Sequence, residues 1–491
     1  MSRTLEHKLF VKNIFALSVA NALKMLFGAL VMIVFARMLG AQDFGKISFA
    51  ISFVSLFAIL ADFGINSYAV VGVSSGEHSA SHLANSVFSL KLVLSICIFC
   101  AMYLVLHFLD YPWQVRCITY LFGLSVLIDS FADFICSLFR GVERMKYETW
   151  ISFAQNAVLF IAVAVALKAG LSLVHVSVVW LISRLIGLLF SIRLFGALFS
   201  HIKFQIDFAV WKNILKSSYV FGLYLLFAGL YNKINIIFLS KTKGNAEVGF
   251  YQAAVNILIL AVFLLDNFLA AILPFIARRF SENQGGFSVM VHSFNKVLFA
   301  CIFPIVSFIY FFAEQIIFFC YGRQMSPAVI LLRFLCVAYM LQYAPPSGIV
   351  FLAIKKERIC LFVALCCAVF NVCANAIFIP LYGAKAAAFV FAGTFLLMRL
   401  SYAFAYKSFK LDFLDFSYFL ILIVSLLLGF SLQLIGVHHI LFNFFLYFVF
   451  YGIIFWFVIM KKEERRFYSG ILRNLLLVER DSDNYEKQSM R

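Results

Sequence analysis

Charge is scarce in this chain: 13% of its 491 residues are Asp, Glu, Lys or Arg, and only 7 are proline. A soluble protein carries about 25% charge, so there is too little polar side chain here to cover a water-facing domain. No stretch between apolar runs is long enough to form a separate extramembrane domain. The 9 histidines show no metal-ligand spacing, and His438-His439 sit side by side in a short turn; the expectation is no metal. The tripeptide Asp-Phe-Gly occurs at Asp43–Gly45 and again at Asp62–Gly64. No Gly-rich loop, strand lysine or catalytic-loop signature accompanies it, so kinase chemistry is excluded. Lys and Arg outnumber Asp and Glu by 40 to 23. With no soluble basic face to dock on, that excess does not point to nucleic acid.

The chain is instead rich in apolar matter: 64% hydrophobic and 18% aromatic, with a mean hydropathy of +0.99. A helix crossing a hydrocarbon core of roughly 30 Å needs about 20 apolar residues in a row. About fourteen such runs follow one another, from 13–38 and 44–71 through 327–353, 359–380 and 384–405 to 440–460. The fold class is all-α and polytopic. Basic clusters such as Arg140/Arg144/Lys146, Arg278/Arg279 and Lys355/Lys356/Arg358 fall on alternate loops. By the positive-inside rule, both termini are then cytoplasmic, and the surplus charge faces anionic lipid headgroups. The 11 cysteines, including Cys97/Cys100 and Cys366-Cys367, mostly lie inside the spans and read as small apolar fillers.

The chain is internally duplicated. "LGAQDFGKISFA" (Leu39–Ala50) aligns with "KGNAEVGFYQAA" (Lys243–Ala254), laying Gly40, Asp43 and Gly45 on Gly244, Glu247 and Gly249. The same offset lays Asp62 on Asp266. Further on, Glu143-Arg144 aligns with Glu357-Arg358, and Arg184 with Arg399. The order is kept throughout, which implies two repeats of six spans each. An even number gives both copies one orientation, the parallel-repeat arrangement with a site between the halves. The division is 1–200, an N-lobe; 201–411, a C-lobe; 412–460, two extra helices; and 461–491, a charged cytoplasmic tail. Each G-x-x-[DE]-x-G is expected to form a tight outer turn, its glycines allowing positive φ and its acid capping the following helix. The tandem Pro345-Pro346-Ser347-Gly348 is the expected hinge, with Pro274 and Pro304 bending neighbouring helices.

Ionisable groups inside the spans carry the functional signal, since each costs roughly 2.5–3.5 kcal/mol at mid-bilayer unless it faces a cavity or a partner. The bases are Lys24, Lys91, Arg184, Lys233, Lys296, Arg333 and Arg399; the acids are Asp62, Asp129, Asp133 and Asp266. Bases exceed acids, so an aqueous interior lined by them favours an anionic substrate, with Arg suited to phosphate. Lys91 and Lys296 can equally snorkel to the inner surface. The four aspartates are candidates for carrying a coupling ion, or are structural partners of the bases.

The segments "ARMLGAQDFGKISFAISFVSLFAILADFGIN", "FRGVERMKYE" and "NAIFIPLYGAKAAA" resemble the Wzx-type polysaccharide-biosynthesis flippases, within the superfamily that also holds the peptidoglycan lipid flippase and the MATE multidrug exporters. The resemblance implies a V-shaped pair of six-helix lobes around a central cavity, with alternating access and no enzymatic activity. It implies translocation of an undecaprenyl-diphosphate-linked oligosaccharide, such as an O-antigen or capsule repeat unit, from the inner to the outer leaflet of a bacterial cytoplasmic membrane. Coupling to H+ or Na+ replaces any bound cofactor. Membrane lipids, a polysaccharide polymerase and chain-length machinery would be its partners. A MATE-like exporter of drugs or metabolites is the alternative on the same fold.

Overall fold

The computed structural model describes residues 3–76, 79–199, 204–282, 287–346, 348–409, 416–435 and 440–460. Among their helical side chains, 3–18, 215, 217, 218, 264, 266–290, 458 and 459 lie outside the described set, and with them the side chains of Asp266 and Pro274. Ser347, His438-His439 and the tail 461–491 also fall outside the described residues.

The described chain is helical, with no strand. It comprises α1 (Arg3–Asp62), α2 (Ile65–Ser74), α3 (Ala80–Phe108), α4 (Trp113–Gly141), α5 (Met145–Lys168), α6 (Leu173–Leu198), α7 (Phe208–Thr242) and α8 (Asn245–Glu282). It continues with α9 (Phe287–Phe311), α10 (Ala313–Tyr321), α11 (Ala328–Tyr343), α12 (Ile349–Ala353), α13 (Glu357–Ser408), α14 (Phe416–Ile435) and α15 (Ile440–Ile454). Eleven of the described helical stretches are long and apolar enough to cross a membrane. Two of these are kinked pairs, α1 at Gly40 (φ 73°) and α13 at Gly383 (φ 62°). Counting each pair as two, and α11 with α12 as one more, accounts for all the spans expected from the sequence. The expected single span 44–71 is itself broken, because Phe63 (φ 38°) and Gly64 (φ 82°) separate α1 from α2.

The duplication is visible in the backbone. Gly40 inside α1 corresponds to Gly244 (φ 88°) between α7 and α8, and Gly170 (φ 69°) between α5 and α6 to Gly383 inside α13. The turns before α5 and α13 match closely: Glu143 and Lys355 take φ of 58° and 57°. In the same turns, the amides of Arg144 and Lys356 each donate at 2.8 Å, to the carbonyls of Phe139 and Phe351. Glu143 therefore corresponds to Lys355, and the expected alignment on Glu357 is two residues out of register. Sequence similarity had followed the identical Glu-Arg pairs, whereas the conserved object is the left-handed turn.

The first halves of the turns behave as expected, with positive φ at Gly40 and Gly244. The second glycines do something else. Gly45 and Gly249 lie within helices, and each packs against the backbone of the other repeat. A Cβ at Gly45 would lie inside the contact radius of the Asn245 carbonyl, and one at Gly249 inside that of Ala41. Because Ala41 and Asn245 are themselves equivalent, the crossing of α1 over α8 is reciprocal, as a two-fold axis between the lobes requires. The acids differ from expectation too. Asp43 accepts from Lys46 at 2.8 Å, and Glu247 accepts from the amide of Ala384 at 3.1 Å, capping the second segment of α13 instead of α8.

Around this crossing, Arg37 donates to the carbonyls of Phe319 and Cys320 at the end of α10, and Gln324 returns bonds of 3.0 Å to the carbonyls of Ala36 and Arg37. The α1 backbone end and the α10 end thus cap one another across the lobes. Toward the other end of the interface, Gly222 and Gly229 of α7 are seven residues apart, on one helix face. They receive Phe63, at the break after α1, and Ile59 of α1, with the Phe63 ring 2.9 Å from where a Gly222 Cβ would stand. The helices α14 and α15 pack on α9, with Tyr451 donating to the Ala300 carbonyl at 2.8 Å.

Gly249→Ala is expected to lower the thermal unfolding midpoint of the purified protein by the equivalent of about 1–3 kcal/mol, the usual cost of overpacking. Gly28→Ala, where an added Cβ meets nothing within 4 Å, should be neutral. Equal midpoints for the two variants would contradict the crossing.

Candidate functional site

Two adjoining cavities of about 390 Å³ each lie along the contact of α1 with α7 and α8. One is walled by Asn21, Lys24, Gly28 and Met32 of α1 and by Asn256 and Phe263 of α8. The other lies between Ser55 and Ile59 of α1 and the C-lobe residues Asn232, Lys233, Gln252, Tyr339 and Gln342. Ile259 lines both. A base from each lobe therefore faces the inter-lobe space, Lys24 in the first cavity and Lys233 in the second.

The two lobes treat their charges differently. In the N-lobe, α4 presents Asp129 and Asp133 one turn apart, on a single face. Asp133 pairs with Lys24 at 3.2 Å, and Asp129 with Arg184 at 3.5 Å. Asp129 also accepts from Gln155 at 2.5 Å, and the Arg184 guanidinium lies 5.5 Å from the Trp180 ring. Lys91, 1% exposed, donates to the Ser130 hydroxyl at 2.8 Å and stands 3.7 Å from Asp62. Asp62 sits at the end of α1 and also caps α2 through the amide of Asn66. One more pair, Arg140–Glu148 at 3.0 Å, ties α4 to α5. Lys24, Lys91 and Arg184 of the N-lobe thus each have a carboxylate, so these groups balance one another.

Two C-lobe bases, Lys233 and Arg399, are not balanced in this way among the described residues. Lys233 has no ion pair or hydrogen bond to the described residues. Arg399 binds backbone carbonyls: its Nη1 donates to Ala344 at 2.9 Å and to Pro346 at 2.5 Å. Arg333 is half-buried on α11 without an ion pair, and lines neither inter-lobe cavity. Lys296 is buried on α9 and likewise lies outside both. The repeat-related pairs therefore diverge in environment, with Arg184 salt-bridged and its counterpart Arg399 capping a broken helix. Of the bases singled out from the sequence, the structure brings Lys24 and Lys233 to the inter-lobe space, and places Lys91, Arg184, Lys296, Arg333 and Arg399 within the lobes.

The sequence reading missed Glu148, Arg37 and the two notches at Gly222 and Gly229. The G-x6-G spacing on α7 was the available signal for the notches. Arg37 and Glu148 lie at span ends, where a charged residue draws no notice.

The family described as polysaccharide biosynthesis protein matches residues 10–280, more than half of the chain. The chain belongs to that family. Among solved structures, this polysaccharide biosynthesis protein is similar to the lipid II flippase MurJ in an inward closed conformation: TM-score 0.70, 16% identity, 94% of this chain and 99% of that one covered. It also resembles an inward-facing multidrug resistance MATE family transporter of the MOP superfamily, with TM-score 0.65, 15% identity and coverage of 79% and 94%. A MOP superfamily transporter from Pyrococcus furiosus, whose description notes a reverse polarity of its binding pocket, matches at TM-score 0.56, 15% identity and coverage of 82% and 96%. Curated proteins give no match. The fold is that of the MOP superfamily, as the sequence resemblance implied, and the chain is a multi-pass membrane protein.

Asp129→Asn removes the carboxylate from Arg184, a residue 8% exposed. The expected cost is about 3–5 kcal/mol, that of a buried pair broken on one side. Adding Arg184→Gln should recover most of the loss, which unfolding midpoints of the single and double variants would measure.

Proposed function

We propose that the protein is a flippase that carries an undecaprenyl-diphosphate-linked oligosaccharide between the leaflets of a bacterial cytoplasmic membrane, with the glycine turns on the outer side. The observation that carries this reading is Lys233: a base in the inter-lobe cavity with no counter-charge among the described residues. A diphosphate supplies the missing negative charge, and charge-assisted hydrogen bonds are the strong ones in a low dielectric. Family membership supports a polysaccharide substrate, and the likeness to the lipid II flippase supports a lipid-linked one.

Cavity size supports alternating access. At about 30 Å³ per water, 390 Å³ holds on the order of a dozen waters, far less than an oligosaccharide with its diphosphate. The lobes touch on both sides of the cavity, at Gly45/Gly249 and at Phe63/Gly222, so loading requires one contact to part. An exporter of cationic drugs on the same fold would need an acidic lining, and the carboxylates of the N-lobe are already engaged. We propose coupling to H+ or Na+ through Asp62, the carboxylate that stands at the break between α1 and α2 beside Lys91. The polymerase and chain-length machinery would receive the product at the outer face.

In proteoliposomes loaded with purified lipid-linked glycan, Lys233→Gln is expected to slow leaflet transfer about 10- to 100-fold, the worth of one hydrogen bond to a charged group. Lys233→Arg should retain most of the rate; wild-type transfer by the Gln variant would overturn the assignment. Asp62→Asn should abolish the dependence of that rate on an imposed H+ or Na+ gradient. A gradient-independent rate in the unsubstituted protein would remove the coupling proposal alone.

A further inference from the structure

A third cavity, of about 240 Å³, lies inside the C-lobe, among α7, α9, α11, α12 and α13. Its lining includes Tyr224, Tyr231, Gln342, Met398, Arg399 and Tyr402. The break between α11 and α12 frees the carbonyls of Ala344 and Pro346, and Arg399 meets both through Nη1 alone. A single Lys ammonium could do the same, because it carries three donors. The remaining edge of the guanidinium, Nε with Nη2, is the one that grips a carboxylate or phosphate with two parallel hydrogen bonds. Among the described residues, Nη2 meets only the Met398 sulfur at 3.5 Å, and Nε is buried with no partner. Tyr402 contributes its ring, 5.7 Å from the guanidinium carbon. The charge has no carboxylate among the described residues, and the Nε–Nη2 edge meets no oxygen there.

We infer that this cavity is an oxyanion site, distinct from the inter-lobe space around Lys233, that takes one carboxylate or phosphate group on the Nε–Nη2 edge of Arg399. Met398 is the cover. Its unbranched thioether has three rotatable bonds and little to hold it to a guanidinium nitrogen, so it yields to an ion that binds better. Gln342 and Tyr343 line both this cavity and the one holding Lys233, so an anion reaches Arg399 from the inter-lobe side. Tyrosine rings and hydroxyls around the charge suit a carboxylated sugar; the phosphate of a lipid headgroup offers the same chemistry.

The test uses the full chain in nanodiscs of a neutral galactolipid, which carries no phosphate, following the unfolding midpoint at constant ionic strength. Inorganic phosphate or glucuronate should raise the midpoint saturably, while glucose and chloride should not. The rise should persist in Lys233→Gln. It should require at least tenfold more anion in Arg399→Lys, which keeps the helix cap and loses the fork. Met398→Phe, which fills the cavity and leaves Arg399 intact, should abolish it. If discs containing phosphatidylglycerol are already stabilised and soluble anions add nothing, the occupant is a lipid headgroup; a glucuronate response in either disc assigns a sugar acid. A flat response to anions and lipid, or a response that survives both Arg399→Lys and Met398→Phe, overturns the site. The site stands apart from the transport reading, since a flat response with intact glycan transfer removes this inference alone.

Discussion

The two halves of this protein meet backbone to backbone. At Gly45 and Gly249 no side chain separates α1 from α8, and each glycine lies against the peptide group that its own repeat's partner turn supplies. That reciprocity fixes the relation of the lobes: the repeats are parallel, the axis runs between them, and the cavities fall where α1 faces α7 and α8. Arg37 and Gln324 reinforce the contact by satisfying helix-end carbonyls on opposite lobes. Everything placed between the lobes, Lys24 and Lys233 included, inherits its position from this crossing.

Against that frame, the distribution of charge divides the labour of the lobes. The N-lobe is internally neutralised, with α4 serving as an acidic rail to which α1 and α6 are fastened by Lys24 and Arg184. The Arg184–Asp129 pair is largely buried, and a pair of this kind holds a helix in register and cannot also grip a ligand without losing that hold. In the C-lobe, Lys233 at the inter-lobe space and Arg399 at a helix break have no carboxylate among the described residues. A positive interior is consistent with a substrate that brings its own negative charge.

Much of the fold was legible because its signals are local. Runs of apolar residues located the spans, and the recurrence of Gly40/Gly45 at Gly244/Gly249 exposed the duplication. The functions of the individual positions were less legible, because they depend on what lies opposite. Nothing in the string distinguishes Gly40, which needs positive φ, from Gly45, which needs an absent side chain. The sequence marks Lys91 as able to snorkel; the approach of Asp62 to it, with no such carboxylate beside Lys233 among the described residues, shows only in the structure. The excess of bases over acids was readable by a count in each lobe, but the partner of each base was not, since pairing crosses more than a hundred residues from Lys24 to Asp133. The Glu-Arg alignment erred for a related reason: a left-handed turn tolerates different residues, so identity slid off the geometry by two positions.

The contacts on either side of the inter-lobe cavity are unequal in kind. At Gly45 and Gly249 the seal is made of main chain, which no rotamer change can lift; opening there is a rigid-body event, on the microsecond-to-millisecond scale of domain motion. At Gly222 and Gly229 the seal is made of the Phe63 ring and the Ile59 side chain seated in notches. Side chains of that kind swing within nanoseconds where they are partly exposed. Small molecules such as water would therefore seep past the phenylalanine end long before the lobes move, while the opposite end stays tight, giving the protein a one-sided leak built into two pairs of glycines.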